Sequence, residues 1–201
     1  MRLLISLSIV GFAALLVPYE PFAESNSARQ LTQKATSIKT GLILQQAEGE
    51  RRVRRPRPSS ATPLAAPSLV IKVDDRNGGS PNFFVGYEEI APGSAIPPHF
   101  HPEYDEVIIV HEGKGLATLG VQERVVTAGA TIYIPPKTRV SLKNTGTQTL
   151  SIFFIFPQPG MVSDYYRGMT VADGERVTPF SAEELAAFRA RHKGHIVFDE
   201  R

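Results

Sequence analysis

The chain contains no cysteine and no tryptophan among its 201 residues. The first absence excludes disulfides, thiol nucleophiles and thiolate metal sites together, so any ion must be held by histidine and carboxylate side chains. An excess of one charge is also missing. With 22 Lys and Arg against 20 Asp and Glu the formal net charge is +2, too close to neutral for the whole chain to wrap a nucleic acid. A continuous helical bundle is disfavoured as well, since 16 Gly and 16 Pro punctuate the sequence and point to a turn-rich β architecture. The length suits one domain with extensions.

Long apolar runs are scarce, and the clearest is Leu3 to Val17, which follows Arg2 and has only Ser6 and Ser8 as polar members. A basic start and an apolar middle read as a secretory signal, whereas a spanning helix needs roughly 20 apolar residues. Residues 1–23 are therefore assigned as a signal peptide, which predicts a secreted or periplasmic protein without a stable membrane anchor. Residues 24–68 read as a flexible leader and an Arg/Pro-rich linker. Arg51, Arg52, Arg54, Arg55 and Arg57 lie within this stretch and contribute +5, leaving −3 for the rest of the chain. Such a run beside prolines reads as solvated surface.

From residue 69 onward short apolar runs alternate with turn signals at the spacing of a sandwich or barrel. The expected strands are 69–73, 82–90, 95–101, 106–111, 115–119, 123–126, 131–134, 140–143 and 150–156. With no helical segment between them they must pair antiparallel, because a parallel crossover needs about a dozen residues. One helix is expected near the end. Ser181 and Glu184 form a capping box, Leu185, Ala187 and Phe188 supply an apolar stripe, and Gly194 stops it. Ile196 to Phe198 add a final edge strand.

The stretch Gly93 to Gly113 carries the candidate chemistry. Residues two apart in a strand share a face, so His99 and His101 present two imidazoles to one side while Phe100 points away. Pro102 to Asp105 give a connection of hairpin length. If the next strand pairs with the previous one, Glu106 folds back beside the imidazoles, and two neutral histidines with one carboxylate make a facial triad with open coordination positions. His111 falls on the opposite face by parity, as does Asp105. His192 and His195 read as part of a frayed polar tail. Three interpretations of the triad stay open: a working metal site, a weak or vestigial one, and a hydrogen-bonded polar cluster.

These residues resemble the cupin superfamily, whose first motif, G-x5-H-x-H-x3 or 4-E-x6-G, is matched at every spacing by Gly93, His99, His101, Glu106 and Gly113. The second motif, G-x5-P-x-G-x2-H-x3-N, is met by Gly129, Pro135 and Asn144, while Lys137 replaces its glycine and Val140 replaces the histidine that supplies the fourth ligand. The resemblance covers about Leu69 to Phe156. It implies an all-β fold, a cupin-like conical jelly-roll β-barrel with one C-terminal helix, with the barrel at 69–160 and a C-terminal extension at 161–201 whose helix spans about 181–193.

It also implies a divalent ion, Fe, Mn, Ni, Co or Zn, on His99, His101 and Glu106, with a small-molecule ligand entering the open positions. Tyr133 and Arg139 are candidates for orienting that ligand, Arg139 through a forked contact to an anion. The function implied is a dioxygenase-like oxidoreductase on a small organic substrate. The alternatives are an isomerase or lyase on sugars or carboxylic acids, or a ligand-binding cupin without chemistry. Nucleic acid is not expected as a partner, and a homodimer is compatible with the family.

Overall fold

The computed structural model describes residues 41–58 and 69–199. The signal peptide assigned to 1–23, the leader to residue 40 and the linker residues 59–68 lie outside the described residues. The first element is a correction to the composition-based reading: β1 (Glu50–Arg54) is a strand, with Val53 buried in the sheet. Its arginines lay their stems along the sheet and end on acids, Arg52 on Glu50 and Arg54 on Glu88, each at 2.7 Å. Arg51 reaches Asp173, which is 122 residues away. Partners so distant leave no local trace.

The nine strands expected from the alternation follow within one or two residues of their anticipated ends. They are β2 (Leu69–Val73), β3 (Phe83–Ile90), β4 (Ala95–Phe100), β5 (Glu106–Glu112), β6 (Lys114–Leu119), β7 (Gln122–Thr127), β8 (Thr131–Ile134), β9 (Val140–Asn144) and β10 (Leu150–Pro157). After them come α1 (Pro159–Gly168), β11 (Thr170–Ala172), α2 (Ala182–His192) and β12 (Val197–Phe198). Among the described residues there are thus two helices rather than one. α1 opens on Pro159, where a missing N–H leaves no bond unmade, and Gly160 kinks its first turn with φ 12° and ψ −102°. The other helix forms as anticipated, its Ser181 hydroxyl accepting from the Glu184 N–H and the Glu184 carboxylate accepting from the Ser181 N–H.

The strands form two antiparallel sheets of the jelly-roll kind, in the orders β11-β1-β2-β3-β10-β5-β8 and β12-β4-β9-β6-β7. Alternate residues of each fill one shared core: Phe84, Ile108, Phe154 and Phe156 from the larger sheet, Ala117, Val140 and Leu142 from the smaller. Gly86 lies directly opposite Phe154 in the ladder, and a Cβ there would come within 2.0 Å of that ring. The missing side chain lets Phe154 lie across β3 and stack near Phe84 and Tyr166.

One buried ionic cluster joins the N-terminal strand to α1. Arg167 reaches both Asp74 and Glu50, and the Ser163 hydroxyl donates to Asp74 at 2.5 Å. Burial pushes the Asp74 carboxyl upward, but these donors and the N–H groups of Arg76 and Asn77 outweigh it and hold the group below the usual carboxylate range. Breaking such a pair from one side leaves a buried charge without compensation, so β1 is an integral part of the sheet.

Candidate metal centre

Pro97 and Pro98 shape the strand that carries the two histidines. Neither has an N–H to give to the ladder, and the register of β4 against β9 shifts between Ile96 and His99. The Pro97 carbonyl is thereby free to lie 2.8 Å from Nδ1 of His99. Side chains then alternate, with His99 and His101 buried and Phe100 partly exposed between them. Glu106 opens β5 and is buried on the same face as Ile108 and Val110. Donor atoms of His99, His101 and Glu106 all lie within 4.8 Å of one another.

The route by which they meet differs from a hairpin. β4 belongs to the five-stranded sheet, whereas β5 pairs with β8 and β10 in the seven-stranded one. Residues 101–105 cross between the sheets, so the carboxylate faces the imidazoles across the core and not along one ladder. The side-chain parity of each strand still sets the outcome, because both inner faces look into the same space.

Hydrogen bonding fixes the lone pairs. A carbonyl can only accept, so Nδ1 of His99 beside the Pro97 oxygen, and Nδ1 of His101 at 2.6 Å from the His195 oxygen, must carry the protons. A ring that carries its one proton on Nδ1 leaves Nε2 as a bare acceptor. Burial holds His99 below the usual imidazole range, even though Glu106 acts in the other direction. Nε2 of His101 lies 3.2 Å from Oε2 of Glu106, and neither buried atom has a hydrogen-bond partner among the described residues. Two lone pairs facing each other at this distance repel unless a proton or a metal cation lies between them. A neutral-imidazole and carboxylate set of this kind suits a divalent transition metal, and the donors present therefore fit such an ion.

The other sequence candidates make side-chain contacts of their own. Tyr133 is 57% exposed on the outer face of β8, where its hydroxyl donates to Asp105 at 2.7 Å. Arg139 forms an ion pair with Asp199. His111 is exposed, as its parity requires. Val140, in contrast, lies 1% exposed directly opposite His99 in the ladder.

The reading of His192 and His195 as a frayed tail is overturned, since both are buried. His192 donates Nδ1–H to the Phe188 carbonyl at 2.9 Å within the last helical turn. His195 is 0% exposed, packed among the rings of His101, Phe156, Tyr104 and Tyr165. Burial and the neighbouring imidazoles of His101, His192 and His99 push its pKa down to about 2, so the ring is neutral. The only local signal for this was the apolar Ile-Val-Phe run that follows it.

Lys137 explains the glycine of the second motif. Its φ is 65°, a left-handed conformation that costs an ordinary residue about 1–2 kcal/mol, and its N–H donates to the His101 carbonyl at 2.7 Å. Lys137→Gly should relieve that strain and raise stability by about 0.5–1 kcal/mol after glycine's greater freedom in the unfolded chain is counted. Chemical denaturation measures this directly. A lower midpoint in the variant would mean that the lysine side chain holds the turn in some other way.

A family model described as a cupin domain matches residues 86–156. An uncharacterized protein of Methanocaldococcus jannaschii is 40% identical over 78 residues, which cover 36% of this chain and 62% of the relative. The match thus spans about three fifths of that relative's length. Among solved structures, a polyketide cyclase of Streptomyces resistomycificus is 27% identical with a TM-score of 0.40, over 44% of this chain and 63% of the other. A putative sugar phosphate isomerase of Acidithiobacillus ferrooxidans is 25% identical with a TM-score of 0.40, over 45% and 59%. Through the two facing sheets, the intact first motif and the family match, residues 86–156 of this chain resemble a cupin domain.

Proposed function

We propose that this chain is a metal-dependent cupin that holds one divalent ion on Nε2 of His99, Nε2 of His101 and the Glu106 carboxylate, and that it oxidises a small organic molecule in the manner of a dioxygenase. The observation that carries the reading is the convergence of His99, His101 and Glu106, all buried, with one donor atom of each within 4.8 Å of the others. An ion bound by three protein donors keeps positions open for substrate or oxygen and supplies Lewis-acid or redox chemistry there.

The chain's own residues supply the setting. The Pro97 and His195 carbonyls keep both imidazoles in the tautomer that turns Nε2 inward. Phe156 lies against His101, and Phe198 against His99, so the donor set is walled by apolar rings that limit water. We propose in addition that the protein is exported, on the pattern of residues 1–23. Mature protein recovered from the periplasmic or culture fraction should carry near one equivalent of Fe, Mn, Ni, Co or Zn and consume oxygen with one of a panel of phenols and enediols. Metal without oxygen uptake would replace the oxidative reading by isomerase, lyase or ligand-binding work. Absence of metal would remove the centre itself.

A further inference from the structure

The C-terminal segment after α2 is built onto the strand that carries both histidines. Its β12 pairs antiparallel with β4, placing Phe198 opposite His99 and Val197 opposite Phe100. The Asp199 N–H donates to the Pro98 carbonyl at 3.3 Å, and Asp199 is ion-paired to Arg139. One turn earlier, the His195 carbonyl accepts the Nδ1 proton of His101 at 2.6 Å. The ring of Phe198 lies 5.6 Å from that of His99. Each imidazole of the candidate centre is therefore touched by this short segment, which occupies the edge of β4 that β9 leaves open.

We propose that residues 193–199 are a clamp on the metal centre, with His195 as a positioning residue that acts through its main-chain carbonyl, so that docking of the tail and retention of the ion are coupled. The inference rests on the metal reading above. A carbonyl on Nδ1–H fixes the ring's orientation and raises the basicity of Nε2, and removing a group that holds a ligand in this way typically weakens metal affinity by about 10- to 100-fold. Because binding free energies are reciprocal, an ion that is held more tightly with the tail docked must hold the tail more tightly in return.

The side chain of His195 is separable from this role. Its two ring nitrogens are buried and have no hydrogen-bond partner among the described residues, and they are not in the group of donors within 4.8 Å. The clamp is therefore assigned to the backbone and not to a fourth imidazole.

The test is a competitive Zn²⁺ titration of the metal-free full chain against Val197→Pro, which breaks the β12 pairing, and His195→Ala, which keeps the carbonyl. The expected result is an affinity about 10- to 100-fold lower for Val197→Pro and within about threefold of the parent for His195→Ala. Hydrogen exchange of the unaltered chain supplies a second measurement that needs no variant to fold: Zn²⁺ should slow exchange at residues 195–199. An affinity for Val197→Pro equal to the parent's, or exchange in the tail indifferent to Zn²⁺, overturns the clamp. An equal loss in His195→Ala overturns the main-chain assignment in favour of the ring. If the parent itself binds no Zn²⁺ and no other divalent ion, the metal reading fails first, and that outcome is distinct from a parent that binds with its tail uncoupled.

Discussion

His101→Ala should abolish retention of the divalent ion. The substitution removes one of three donors and the ring whose Nδ1–H is tied to the His195 carbonyl. The loss should therefore exceed the roughly 10- to 100-fold that follows from disturbing a ligand's supporting groups alone. Metal analysis of purified protein reads the effect directly. Melting gives an independent readout, because an ion present at about 100 times its dissociation constant stabilises the parent by about 2.7 kcal/mol, and that increment should vanish in the variant. Glu106→Gln should behave similarly while preserving side-chain volume, since a neutral amide replaces the one anionic donor. Unchanged metal content in either variant would mean that the converging lone pairs are satisfied in another way, and the proposed chemistry would fall with them.

The order in which the fold and the site became legible has physical causes. Strands β2 to β10 were readable because each is a short run of four to eight residues set between turn signals rich in Gly, Pro, Asn and Asp, signals that are local. The pairing of His99 with His101 was readable for the same reason, since parity within one strand is a local property. The placement of Glu106 was correct in its result and mistaken in its route. Parity says which way a side chain points but not which sheet its strand joins, and residues 101–105 cross between sheets. β1 was hidden because its arginines find acids in β3 and beside β11. Composition alone marks them as solvated. His195 was hidden for a related reason: the residues that bury it, Tyr104, Phe156 and Tyr165, come from three separate parts of the chain.

The second large effect concerns the position where the resemblance leads one to expect a histidine and valine stands. Val140 is buried and directly opposite His99, and side chains opposite each other in an antiparallel pair project to the same face with Cβ atoms about 4.5–5.5 Å apart. Val140→His would thus deliver a third imidazole beside the existing two. Two opposing consequences follow, and their signs separate the roles of this site. Without metal, the new ring adds a polar group to an apolar pocket and should destabilise the fold by about 1–3 kcal/mol. With metal, a fourth protein donor should raise affinity by at least tenfold, about 1.4 kcal/mol. The variant should therefore melt below the parent in the metal-free state and gain more than the parent on addition of Zn²⁺. It should also lose oxygen uptake if turnover depends on the position that the valine leaves open. Equal Zn²⁺ affinity in the variant and the parent would show that the pocket beside His99 does not face the bound ion, and the open-triad geometry would have to be abandoned.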